Sequence, residues 1–258
     1  MRRELHAEWT KLRTLRGTGP LLLALVTLTV AVSALAAGAV SCPPTGCDHD
    51  PVRLSLFGVQ VGQAIVAVLA VPTISGEYGT GMIRTTLAAM PRRTTVLAAK
   101  AAILAGLTLV AGTIAVLASV LAGRLVLPGN GFTPAHGHLL PSLADGPTLR
   151  AAAGSVLYLA LIALLSLGIA TAVRDSAAAI GVVLGLLYLL PLMGLVVSDP
   201  DWQRLLWRIS PMSAGLAIQA TKNLATLPLT PWAGLGVLAA WAAAALLGGG
   251  LSLRLRDA

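Results

Sequence analysis

Apolar residues run along the chain in blocks too continuous for the alternation of a half-buried strand or the one-sided stripe of a soluble helix. Six blocks, at about 20–40, 55–75, 95–123, 149–173, 176–197 and 232–253, each approach or exceed the ~20 residues a helix needs to cross a bilayer. Short alternating segments of the barrel kind are absent, and a lipid-facing backbone must satisfy its own hydrogen bonds. The pattern predicts an all-α polytopic membrane protein with six transmembrane helices in a single domain over 1–258.

Three stretches outside the blocks are patterned too. Residues 1–18 place Leu5, Trp9, Leu12 and Leu15 on one helical stripe with basic residues around it, which predicts an N-terminal interfacial helix. A secretory signal is the competing reading of this end. The first block is too long for the usual signal, and Ala39–Ser41 make a poor lipoprotein box before Cys42, so the first span is expected to stay in the mature protein. Pro72–Arg93 is the longest polar and basic connection; Ile83, Leu87 and Met90 recur at helical spacing, Pro91 stops the run and Arg92 and Arg93 follow. Glu77 and Arg84 lie two turns apart on a similar face. A short helix held by a partner and a plain basic loop serving topology both fit this spacing.

The third stretch is Ser198–Pro231. Ser198, Asp199 and Pro200 form a helix start, and Trp202, Leu205, Leu206 and Ile209 follow at i, i+3, i+4 and i+7, opposite Gln203, Arg204 and Arg208. Pro211 breaks that helix, and the MSAGLAIQA run after it is too short to cross. It either dips into the membrane and returns, or lies at the surface anchored by Trp202 and Trp207.

Composition agrees with the pattern. Of the 258 residues 56% are hydrophobic and only 11% charged, with a mean hydropathy of +0.84, too few charges to cover a soluble globule. The net charge of +8 becomes informative loop by loop. With the N-terminus inside, Arg53, Arg124, Arg150, Arg204, Arg208 and Lys222 fall outside and the other twelve of the 18 basic residues inside. This bias predicts a multi-pass protein of the cell membrane with both termini cytoplasmic. The basic residues sit in short blocks beside spans, where lipid headgroups rather than nucleic acid explain them.

Candidate chemistry is sparse. The two cysteines, Cys42 and Cys47, share one loop on the oxidising side, as a small disulfide or as free thiols; with Asp48 and His49 they could be drawn as a metal site, but no second ligand pair supports one. His136 and His138 lie in a Gly- and Pro-rich outer connection from Arg124 to Thr148 and read as solvated. Only Arg174 and Asp175 separate the fourth and fifth blocks, which predicts an antiparallel pair. Gly58 with Gly62 and Gly181 with Gly185 have the small-xxx-small spacing of close helix contacts, candidates for an interface with a second copy of the chain. Gln60 and Gln63 prefer a protein or cavity environment to lipid, and so join the candidates for a substrate path. No Asp or Glu lies near the middle of any block, against ion-coupled transport. There is no HExxH, GxSxG or GxxxxGK[ST] pattern, so no catalytic residue, cofactor or metal is expected in this chain, and no ATP site.

The basic EWTKLRTLR segment before the first block, the EYGTGMIRTTLAAMPRR stretch after the second and the SP-containing region before the sixth together resemble a permease subunit of the ABC-2 family, the transmembrane partner of ATP-binding-cassette exporters, of the actinobacterial type. EYGTGMIR also resembles the corresponding stretch of half-size exporters of the eukaryotic G subfamily. The resemblance implies a coupling helix over Glu77–Arg93 seated in a separate ATPase subunit, with Glu77, Tyr78, Gly81, Arg84, Leu87, Pro91, Arg92 and Arg93 in the coupling region and Glu77 and Arg84 as its polar contacts. It further implies two ATPase copies holding ATP and Mg, and two permease copies, a homodimer, around a central path. The sparse polarity of the blocks favours a hydrophobic or amphipathic cargo over an ion. The alternative class is a membrane-bound enzyme or signalling anchor without ATP coupling, whose one candidate cluster is His136, His138 and Asp145.

Overall fold

A computed structural model describes residues 8–11, 17–43, 47–82, 85, 93–133 and 140–256. Among them there is no strand, and six helices are long and apolar enough to cross a membrane: Thr18–Ala39, Pro51–Gly79, Thr94–Asn130, Gly146–Val173, Ser176–Val196 and Pro231–Leu255. These are the first to sixth spans of an all-α multi-pass membrane protein. The chain alternates between two ends of the bundle. The base holds the start of the first span, and the crown holds the loop with the two cysteines.

The second and fourth spans form the hub. In each, 61% of the most apolar stretch is buried within the protein, against 22–33% in the first, third, fifth and sixth. The outer four therefore leave leucine, valine and isoleucine side chains such as Leu35, Val110 and Leu247 exposed at membrane depth. Small residues bring the helices together. A Cβ at Gly58 would stand 1.9 Å from the Thr29 carbonyl oxygen and one at Gly168 would stand 2.4 Å from the Ala245 carbonyl carbon, so the first span crosses the second, and the sixth the fourth, at near backbone contact.

Three boundaries differ from the hydropathy reading. The second span does not end at 75: the helix Pro72–Gly79 continues it, because Thr73 and Ser75 turn their hydroxyls onto the carbonyls of Ala70 (2.6 Å) and Val71 (2.9 Å) and so lose their polarity to the helix itself. The same span begins earlier, with Pro51–Ser55 capped by Asp50, and turns at Leu56–Gly58 before resuming at Val59. The third helix runs past 123 to Val126 and ends in a 3-10 turn, Leu127–Asn130, which shortens the outer connection. Gly131 then takes φ +86, and a Cβ there would lie 2.2 Å from the Cys42 carbonyl oxygen. The fifth span carries a π turn, Gly185–Leu189, just before Pro191, whose missing N–H disturbs the ladder.

At the crown the cysteines are joined, Cys42 to Cys47. Asn130 donates to Ala37 O at 2.9 Å, satisfying a free carbonyl at the end of the first span. Asp199 accepts from the Asp201 and Trp202 amides and starts the helix Pro200–Ile209, which keeps no residue buried and packs mainly on the end of the fifth span. The helix Pro211–Leu216 and the turn Ala217–Gln219 do the opposite: Pro211, Ala214, Gly215, Leu216, Ile218 and Gln219 are buried against the fourth and sixth spans. The segment thus enters the bundle and returns to the crown, the first of the two arrangements open from sequence.

Candidate functional site

At the base four charged side chains face one another. Glu8 and Lys11 come from the helical turn 8–11 before the first span, Glu77 from the last turn of the second, and Lys100 from the second turn of the third. Lys100 Nζ donates to Glu8 Oε2 at 2.7 Å, to Glu77 Oε1 at 2.7 Å and to the Thr73 carbonyl at 3.0 Å. Lys11 Nζ donates to Glu8 Oε1 and Glu77 Oε1, both at 3.0 Å. Glu8, Glu77 and Lys100 are 1%, 4% and 3% exposed, so three of the four are out of solvent. Two acids and two amines cancel in charge. Among the described residues Glu77 Oε2, also buried, finds no donor.

Burial on its own would lower the Lys11 amine, but hydrogen bonds to Glu77 and Glu8 and their negative charges outweigh it and hold it above its ordinary 10.5. Ion pairs so desolvated add little net stability; what they supply is a fixed geometry, since breaking one leaves an uncompensated buried charge. The quartet therefore fastens the N-terminal segment to the end of the second span and the start of the third. Beside it, the Ser75 and Ser176 hydroxyls hydrogen-bond at 2.7 Å, and the Arg174 guanidinium sits 5.0 Å from the centre of the Tyr78 ring while donating to Ser252 O at 3.1 Å. The last turns of the second span are thereby tied to the turn between the fourth and fifth spans and, through Arg174, to the sixth.

A second polar group lies inside the bundle. Gln63, fully buried, accepts from the Tyr158 hydroxyl and places its amide 3.2 Å from the Met212 sulfur. Gln219 donates to Ser155 Oγ at 3.0 Å and reaches the Leu56 carbonyl, and the Tyr188 hydroxyl, on the π turn, donates to the Gln60 carbonyl. The chain that enters from the crown is thus pinned by Met212 and Gln219 to the second and fourth spans.

Several sequence expectations change. Glu77 does not face outward as a docking contact; its carboxylate is turned into the protein by Lys100 and Lys11. Tyr78 is half-buried under Arg174, and Gly81 adopts φ +72 just past the helix end. Arg84, Leu87, Pro91 and Arg92, with Ile83 and Met90, lie outside the described residues, and Arg93 opens the third helix. Gly58 and Gly62 do not face a second copy: they meet Thr29, Ser33 and Leu25 of the first span. Gly181 and Gly185 have nothing within 4 Å, and their faces stay open. Gln63 serves as an internal tether, whereas Gln60 is half-buried. The N-terminal turn is not wholly interfacial, because Glu8 is buried in the quartet although Trp9 is exposed; Leu5, Leu12 and Leu15 lie outside the described residues. So do His136 and His138, and among the described residues no group of His, Cys, Asp and Glu could hold a metal ion.

The quartet went unread because Lys100 counts equally well as one more inside charge, and Glu8 as a surface residue. The available signal was depth: a Lys seven residues into an apolar helix needs a partner, and Glu77 lies at the matching level of an antiparallel neighbour. No family model matches the chain, and no curated protein matches it either.

Proposed function

We propose that the chain is the membrane-spanning permease subunit of an ABC-type exporter, moving a hydrophobic or amphipathic molecule outward while a separate ATPase, binding ATP and Mg, works on the connection between the second and third spans. The observation that carries the reading is the buried quartet at the base. A connection whose two ends and whose neighbouring N-terminal segment are clamped together transmits a push to the second span, the hub of the bundle, instead of absorbing it. The re-entrant segment, pinned to that same span through Gln63, carries the displacement to the crown.

Two independent features support the orientation this reading needs. The inside bias of Lys and Arg supports a cytoplasmic base, and the Cys42–Cys47 bond lies at the opposite end, where an oxidising compartment would favour it. Both termini are then cytoplasmic, in the cell membrane. The open faces of Gly181 and Gly185 in the fifth span are where a second permease copy would approach, giving two permeases and two ATPases in the working assembly.

The test is to isolate the tagged chain in mild detergent from its native membrane. A phosphate-loop ATPase is expected to copurify, and Arg84→Ala is expected to leave insertion intact while uncoupling ATP hydrolysis from efflux of a labelled hydrophobic probe. Recovery of the chain without any ATPase, together with probe efflux that ignores ATP, would refute the proposal.

A further inference from the structure

The crown has a pocket of about 440 Å³ between the Asp48–Phe57 segment and the chain after the re-entrant turn, within the size range of small-molecule sites. Its wall is mixed: Arg53, His49 and Lys222 are polar, and Leu54, Phe57 and Leu227 form the apolar part. A narrower cleft of about 90 Å³, walled by Trp207, Leu216 and Leu229, adjoins it across Arg53, Ala220 and Leu227. Arg53 thus lines both cavities, with apolar side chains beside it in each.

The charges of this pocket are unequally committed. Asp50 accepts from five donors: the amides of Val52, Arg53, Thr221 and Lys222 and the Thr221 hydroxyl. Its carboxylate is spent in welding the two crown segments together. Asp48 is exposed to solvent and faces the Asn223 amide at 3.2 Å, and Lys222 Nζ donates to the His49 carbonyl. The Arg53 guanidinium, by contrast, is exposed and makes no hydrogen bond or ion pair with any described residue, and the half-buried Gln60, which also lines the pocket, makes no side-chain hydrogen bond with one either. A planar fork of donors beside apolar side chains matches an oxyanion carried on a hydrocarbon body.

We infer that the crown pocket binds an anionic amphiphile, with its carboxylate, sulfate or phosphate on Arg53 and its apolar part along Phe57 and Leu227 toward Trp207. That this is the class of molecule the protein releases rests on the exporter reading above; the binding itself does not. Lys222 adds a second positive charge to the lining and the exposed Asp48 offsets it, while Asp50, saturated with donors, opposes an anion less than a free carboxylate would, so the Arg53 fork carries the recognition.

Binding is measured on the whole purified chain in a neutral detergent, without any ATPase, by quenching of tryptophan fluorescence. The probes are 9,10-dibromostearate at pH 8.5, where it is ionised, and its methyl ester, which has the same chain and no charge. Saturable quenching is expected for the acid and at least about tenfold weaker binding for the ester, since a hydrogen bond to a charged group is worth roughly that factor. Arg53→Gln should weaken the acid about tenfold to the level of the ester, Arg53→Lys should keep part of the difference, and Trp207→Phe should remove the saturable quenching. Equal binding of acid and ester, an unchanged Arg53→Gln variant, or full quenching in Trp207→Phe would overturn the inference. Displacement of the probe by millimolar acetate would overturn it too, because the site would then take a simple anion. Failure here leaves ATPase copurification untouched, so the two readings fall separately.

Discussion

Replacing Lys100 by Met tests whether the base is one unit. The side chain is 3% exposed and gives up three hydrogen bonds, to Glu8, Glu77 and the Thr73 carbonyl. Methionine has a similar length and no charge, so packing changes little while two buried carboxylates are left sharing Lys11. Removing one partner from a buried pair costs about 3–5 kcal/mol, largely because the other charge is stranded. The double variant Lys100→Met with Glu77→Gln removes one charge of each sign and leaves the Glu8–Lys11 pair, 3.0 Å apart, intact. It should therefore recover at least about 2 kcal/mol of the loss, a coupling within the range seen for residues in one network. The assay is unfolding by sodium dodecyl sulfate titrated into dodecyl maltoside micelles, followed by circular dichroism, for the wild type, both single variants and the double. A single Lys100→Met variant within about 1 kcal/mol of the wild type, or a double variant that loses the sum of the two singles, would refute a coupled quartet.

Gly168→Ala should destabilise by about 1–3 kcal/mol in the same titration, because its Cβ would meet the sixth span's backbone at 2.4 Å, whereas Gly181→Ala, with open space around it, should be near neutral in the isolated chain. Tyr158→Phe strands the buried Gln63 oxygen and should cost about 1–3 kcal/mol. In intact cells a Cys42→Ser variant should expose Cys47 to a membrane-impermeant maleimide added outside; labelling seen only in inverted vesicles would refute the proposed topology. Lys11, whose amine titrates above 10.5 when folded, contributes stability that is fully present below that value and is lost as pH rises through the higher folded value. The stability difference between wild type and Lys11→Met should accordingly stay constant up to about pH 10 and shrink above it.

What could be read from the sequence followed from solvent, and what could not followed from neighbours. Lipid demands about twenty apolar residues per crossing whatever they touch, so all six spans were legible within a few residues. The errors came where a polar residue finds its partner at home: Thr73 and Ser75 look like loop residues until their hydroxyls fold back on their own helix, which carries the second span on to Gly79. Glycine spacing showed that Gly58 and Gly62 meet another helix, but a motif that permits close approach does not name the helix, and the first span takes the place expected for a second copy. Charge was the least legible. Glu77 was singled out for its neighbours in sequence, yet its chemistry comes from Lys100, 23 positions away, and from Lys11, 66 positions away. The positive-inside count treats each Lys as a free marker of topology, and so hides the two that are buried or half-buried against carboxylates. A loop-by-loop count that also asks how deep each charge lies in its apolar block would have separated Lys100, which needs a partner, from Arg174, which sits at a turn and finds the face of Tyr78. Depth is thus the quantity that turns a topology signal into a structural one, and the quartet is where the two diverge in this chain.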